Sequence, residues 1–204
     1  TGVELDECFD EWDMGREDAT DIECVVVLDT SSSMSSQSRR AFESMWTIKR
    51  ALDKINASTT VLTFDSNCHT LYDASEKADG QMRVQYLGGS TEPNKALKSA
   101  RSILATSNRA VKIMLTITDG EWWERNKDEN DNIIKELRHG GVITALAYVY
   151  DTPSWLSEKA QAAYKPNEIN SHGCEVAMAI SDSSQLFHIA KAMVNVGIKR
   201  NLNG

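Results

Sequence analysis

The chain has 204 residues, 41% of them hydrophobic, and a formal net charge of −8, enough for one well-covered core and marginal for two. That charge repels a phosphate backbone and the 22 Lys and Arg residues form no basic block, so nucleic acid is not an expected partner. No apolar run approaches the roughly 20 residues of a membrane-crossing helix, so no insertion is expected, and residues 1–7 lack a charged-then-apolar signal pattern, although a chain opening at Thr1 leaves an upstream segment open.

Residues 1–21 are acidic and aperiodic and read as an N-terminal arm with Phe9 and Trp12 as anchors; residues 22–204 read as one domain. Residues 22–28 are apolar and rich in β-branched side chains without alternation, the pattern of a parallel strand covered on both faces, and they end at Asp29. After a Ser-rich loop, Phe42, Met45, Trp46, Leu52 and Ile55 recur at helical spacing over 39–56. A strand is predicted at 59–64 and an edge strand at 69–72, joined as a hairpin by Asp65-Ser66-Asn67. Residues 74–87 fit neither template. Gly88-Gly89-Ser90-Thr91 makes a tight loop, and Pro93 opens a helix that runs to 106.

The next strand, 111–118, stops at Asp119-Gly120, and a charged helix over 128–139 stops at Gly140-Gly141. A strand at 142–150, a polar stretch at 152–171 with Pro153 and Pro166, and a strand at 175–180 follow. Ser183 or Ser184 then caps a last helix whose face carries Leu186, Ile189, Ala190, Met193 and Val194. This alternation predicts an α/β, Rossmann-like fold: a mostly parallel central sheet with one antiparallel edge strand and helices on both faces. Ligands of such sheets sit at the carboxyl ends of strands, near a switch in strand order.

The polar residues fall at those ends. Asp29, Ser31 and Ser33 occupy alternate positions, so an extended or gently turning backbone aims their oxygens one way. Thr91 and Asp119 lie on two further loops opening on the same sheet edge. Carboxylates and hydroxyls suit Mg²⁺, Mn²⁺ or Ca²⁺, whereas zinc seeks His and Cys. Two carboxylates and three neutral hydroxyls leave a divalent ion an open or water-filled position, which a carboxylate from outside can complete.

Competing readings are weaker. Asp29 as an aspartyl nucleophile, with Thr91 holding phosphate and Asp119 holding Mg²⁺, lacks a second Asp where Ser31 stands. There is no Gly-x-Ser-x-Gly elbow, and Gly88-Gly89-Ser90-Thr91 lacks the lysine of a phosphate-binding loop. The four cysteines form no CxxC pair; Cys24 and Cys174 sit in apolar runs that read as buried strands, and free thiols of a reducing compartment are expected. His172 and Cys174 make at most half a zinc site, and His69, His139 and His188 read as fillers. Trp122 and Trp123 cannot both enter a small core from a loop, so at least one of them is a candidate partner-facing anchor, the competing reading being that one packs under the loop. Met34 either rims the site or packs locally.

Asp29-Thr30-Ser31-Ser32-Ser33, Thr91 after Gly88-Gly89, and Asp119 in Thr118-Asp119-Gly120 resemble, in type, order and spacing, the DxSxS, Thr and Asp elements of the metal-ion-dependent adhesion site of von Willebrand factor A domains. The resemblance extends over residues 22–200. It implies Mg²⁺ coordination by Asp29, Ser31, Ser33, Thr91 and Asp119, a partner protein donating an Asp or Glu carboxylate, and no catalysis. The free thiols and missing signal make the chain similar to intracellular members that pair with AAA+ ATPases, such as chelatase subunits and virus-encoded relatives. A cytoplasmic location follows, or the virion for a virus-encoded member, with an extracellular one left open by the missing upstream sequence. The alternatives are an assembly subunit of a virus particle or secretion machine, whose metal only braces loops, and the aspartyl-phosphate phosphotransferase.

Overall fold

The computed structural model describes residues 21–85, 88–120, 122, 126–150, 170–181, 185, 188, 189, 192 and 193. Six strands, β1 (Ile22–Asp29), β2 (Ser58–Phe64), β3 (Cys68–Tyr72), β4 (Val111–Thr118), β5 (Ile143–Val149) and β6 (Val176–Ile180), form one sheet in the order β3-β2-β1-β4-β5-β6. Every pairing is parallel except that of β2 with the edge strand β3. Three helices, α1 (Ser38–Lys54), α2 (Asn94–Thr106) and α3 (Lys127–His139), connect them. This is the α/β, Rossmann-like architecture expected.

The unalternating run in β1 is explained by what covers it. Cys24, Val26 and Leu28 face one core layer with Phe42 and Met45 of α1, whereas Val25 and Val27 face another with Leu97 and Leu104 of α2 and Ile133 and Ile134 of α3. Both faces of the central strand are therefore dry, and only its end offers a polar residue an outlet. Helix α1 stops where Asn56 takes a left-handed backbone (φ 57), its N–H bonding Asp53 O at 3.1 Å while Ala57 N–H bonds Leu52 O at 3.0 Å. Helix α3 ends in the same geometry: Gly141 (φ +85) donates to Arg138 O and Val142 to Leu137 O, both at 3.0 Å.

Residues 74–85, the described part of the stretch that matches neither template, contain no helix or strand. Side chains hold them instead. Lys49 of α1, fully buried, donates to both carboxylate oxygens of Asp53 at 2.8 and 3.0 Å and to Glu76 O at 2.6 Å, and Asp53 accepts Ala78 N–H at 2.6 Å. Arg83 lies over the Tyr72 ring at 4.7 Å, and Thr63 bonds Gln85. The segment is thus led along α1 and the β2-β3 edge to the Gly88 loop.

One expectation changes. Cys174 is buried, but in a turn before β6 and not in a strand. Of the last helix, residues 185, 188, 189, 192 and 193 are described; the last four are α-helical, and Ile189 packs on the α1 layer. The arm, apart from Asp21, and the stretch 152–169 lie outside the described residues.

Replacing Lys49 by Met strands the buried Asp53 carboxylate without its cation. The expected result is a loss on the order of 3 kcal/mol, read as a lowered urea midpoint; an unchanged midpoint would show that the pair contributes nothing to holding this segment.

Candidate metal centre

β1 lies between β2 and β4, so its carboxyl end is where the connections leave in opposite directions. Asp29, its last residue, is 1% exposed. One carboxylate oxygen accepts Ser31 N–H at 2.9 Å; the other accepts the hydroxyl of Thr118, the last residue of β4, at 2.7 Å. Asp119 follows Thr118 directly and is 8% exposed. The two acidic residues therefore occupy the ends of neighbouring parallel strands.

Ser31 is extended (φ −66, ψ 166) and caps a 3-10 turn over Ser32–Ser35. The turn, not a continuously extended chain, brings Ser33 Oγ to 3.0 Å from Ser31 Oγ. Oxygens at adjacent corners of an octahedron about 2.1 Å from its ion lie about 3.0 Å apart, so the hydroxyl pair has the spacing of two neighbouring ligands. Asp29 and Ser31 are buried and Ser33 is exposed, which leaves one side of the centre open to solvent.

Thr91 is half-buried on a loop laced to this one. Gly88 N–H donates to Thr30 O at 3.0 Å, and Gly89 O accepts Ser32 N–H at 3.3 Å and Ser32 Oγ at 3.1 Å. Gly89 is required there: its φ is +72, and a Cβ would lie 2.6 Å from Ser66 Oγ. Thr30 joins the parts, with its N–H and hydroxyl both donating to Phe64 O of β2, at 2.8 and 3.0 Å. Direct hydrogen bonds thus tie Asp29 to Ser31 and Ser31 to Ser33; Asp119 follows the last residue of the strand beside β1, and the loop that carries Thr91 is laced to the Ser31 loop through Gly88 and Gly89.

Burial pushes the Asp29 carboxyl up from 3.8 to about 6; hydrogen bonds from Ser31 and Thr118 oppose the rise, and the nearby Asp119 charge adds to it. Among the described residues no lysine or arginine forms an ion pair with Asp29. A buried carboxylate beside a second one is stabilised by a cation, and oxygen donors of this kind fit a hard divalent ion. Among the described residues no three His, Cys, Asp or Glu side chains gather as a metal site; the candidate centre instead combines two carboxylates with three hydroxyls. The thiols of Cys24 and Cys174 are pushed up to about 12 by burial, which keeps them protonated.

With this arrangement in view, comparison with known proteins is informative. Residues 24–121 match the model of the von Willebrand factor type A domain family. The chain contains a von Willebrand factor type A domain. The matched span runs from β1 through Asp119 and so includes all five candidate ligands. Among curated proteins none matches the sequence. Solved structures with the same fold include BatB from Bacteroides thetaiotaomicron (15% identity, TM-score 0.58, 87% of this chain and 99% of that one). A manganese-loaded TRAP protein of Plasmodium vivax also shares it (14%, 0.59, 86% and 74%). So does proximal thread matrix protein 1 of the mussel byssus, whose metal-ion-dependent adhesion site holds zinc (17%, 0.57, 86% and 45%). At such identities the likeness establishes the fold, a fold known for metal-dependent protein interaction.

The residues singled out as partner contacts fare differently. Met34 is fully buried in the α1 core layer, because the 3-10 turn directs it inward, and it does not rim the domain's open face. Trp122 is half-buried, stacks on His172 with ring centroids 3.8 Å apart, and packs on the α2-α3 layer, so it is the indole that packs beneath the loop. Trp123 lies outside the described residues. Sequence reasoning missed Thr30, Thr118 and His172; a hydroxyl directly before Asp119 at a strand end is the signal that marks Thr118.

Folding raises the pKa of Asp29, so proton binding stabilises the metal-free folded state at low pH and that stability is lost as pH rises from 3.8 through about 6. In chelator, Asp29→Asn is expected to melt higher than wild type at pH 7.5, by at most about 3 kcal/mol of stability, with the gain shrinking toward pH 4. Equal melting temperatures at pH 7.5 would contradict the strained carboxylate.

Proposed function

We propose that this von Willebrand factor type A domain binds one divalent cation, Mg²⁺ or else Mn²⁺ or Ca²⁺, through Asp29, Ser31, Ser33, Thr91 and Asp119, and grips a partner protein through it. The observation that carries this is the Ser31-Ser33 hydroxyl pair, 3.0 Å apart beside a buried carboxylate without a lysine or arginine partner among the described residues. The five oxygens leave a six-coordinate ion one position short, and exposed Ser33 leaves the ion approachable, so an Asp or Glu of a partner completes the coordination. The site is a clasp without catalysis: Ser31 stands where the phosphotransferase needs its acid, and a serine hydroxyl is a poor proton donor.

Isothermal titration of the chain with Mg²⁺, Mn²⁺, Ca²⁺ and Zn²⁺ tests the centre; the zinc arm is included because of the zinc-occupied mussel relative. Saturable binding of at least one ion, lost in Asp29→Ala, is expected, and no heat with any of the four refutes the reading. An AAA+ ATPase is the partner class we propose from the intracellular resemblance. A pull-down from the native host in Mg²⁺ and in chelator should recover the partner only with metal; retention in chelator would favour the assembly subunit whose ion merely braces loops.

A further inference from the structure

Building on the metal-binding reading, we propose that His172 is a positioning residue for Asp119, clamping the loop that carries this ligand from the far side of the sheet edge. His172 lies in a tight turn closed by Cys174 N–H on Ser171 O at 2.8 Å, with left-handed backbone at both central residues (His172 φ 47, Gly173 φ 83). Glycine takes this conformation freely and a histidine does so at a cost. The turn is fixed to the end of α3 by Arg138, whose guanidinium donates to Gly173 O at 2.9 Å. Its geometry sends the imidazole inward, leaving His172 4% exposed.

There the ring makes two contacts with the segment after Asp119. Nε2 lies 3.3 Å from Gly120 O; a carbonyl only accepts, so Nε2 carries the proton and donates. The ring face stacks on Trp122 at 3.8 Å and 20°. Gly120 O also accepts Trp122 N–H at 3.1 Å, closing the segment on itself. On its other side Gly120 (φ +85) lies so near Tyr148 that a Cβ would stand 2.4 Å from the ring. The loop is thus gripped between Tyr148 and His172.

From His172 the hydrogen bonds continue to the centre. Gly120 N–H donates to Thr118 Oγ1 at 3.0 Å, and that hydroxyl donates to Asp29 at 2.7 Å. His172 therefore reaches one acidic ligand through the other's loop, across 52 residues of sequence from Gly120. Its Nδ1 and the Trp122 Nε1 are buried without hydrogen-bond partners among the described residues. A strained backbone and unpaired buried nitrogens persist where the surroundings use the geometry for something other than stability.

The test measures the Kd for Mn²⁺ by titration, and the melting temperature in chelator, for wild type, His172→Asn, His172→Phe and Leu104→Ala. Asparagine accepts the left-handed backbone but loses the stack; phenylalanine keeps the stack and loses the donor. Leu104→Ala opens a cavity in the same core layer, at the end of α2 remote from the Thr91 loop, and controls for general destabilisation. We expect His172→Asn to weaken Mn²⁺ binding roughly tenfold, as removal of an outer support of a metal ligand does, and His172→Phe to weaken it less, with Leu104→Ala staying within about twofold of wild type. Wild-type affinity in both His172 variants overturns the inference and leaves the metal centre standing, as does equal weakening by Leu104→Ala. Wild type without Mn²⁺ heat overturns the inference together with its foundation. Should His172→Asn not fold, His172→Phe decides alone.

Discussion

The burial of Asp29 is the constraint around which the rest of this domain is arranged. A carboxylate sealed at the end of a strand that is dry on both faces keeps its charge only if donors replace the lost water. Ser31 N–H and the Thr118 hydroxyl supply two, yet the carboxyl still rises to about 6, because neutral donors do not offset burial beside a second acidic residue. Among the described residues no lysine or arginine offsets the Asp29 charge, at the strand end where the Ser31 and Asp119 loops meet.

That convergence follows from strand order. β1 sits centrally, flanked by β2 and β4, so the loops after β1 and β4 open side by side. The Gly88 loop arrives from the β3 edge and is tied in by Thr30 and Ser32. Glycines at 89 and 120 permit the two closest approaches, to Ser66 and Tyr148 respectively. The loops that carry the candidate ligands are held by backbone hydrogen bonds and ring packing, which fix them in place.

Much of this was legible in the residues. Hydrophobic runs located five of the six strands and the first three helices to within one or two residues, because buried strands and helices dry on one face leave clear patterns, and the Asp65-Ser66-Asn67 turn located the exposed edge strand β3. The Asp-x-Ser-x-Ser spacing and the strand-terminal Asp119 marked the candidate ligands, since polar residues at the mouths of apolar strands are few. Residues 74–85 were illegible because they are held by particular partners, Lys49, Asp53 and Tyr72, rather than by a periodic face. Met34 misled because its neighbours Ser33 and Ser35 are exposed while the 3-10 turn buries it alone.

By itself, then, the sequence determined the elements, their class and the chemistry of the candidate ligands, all of which depend on local pattern and on which residue types sit at strand ends. Only the tertiary structure decided which strands are neighbours, that Thr118 serves Asp29, that Trp122 packs inward, and that His172 touches Gly120. Those contacts join residues 52 or 89 positions apart, and no local periodicity encodes them; they exist because the sheet order brings distant strand ends and turns within hydrogen-bonding reach.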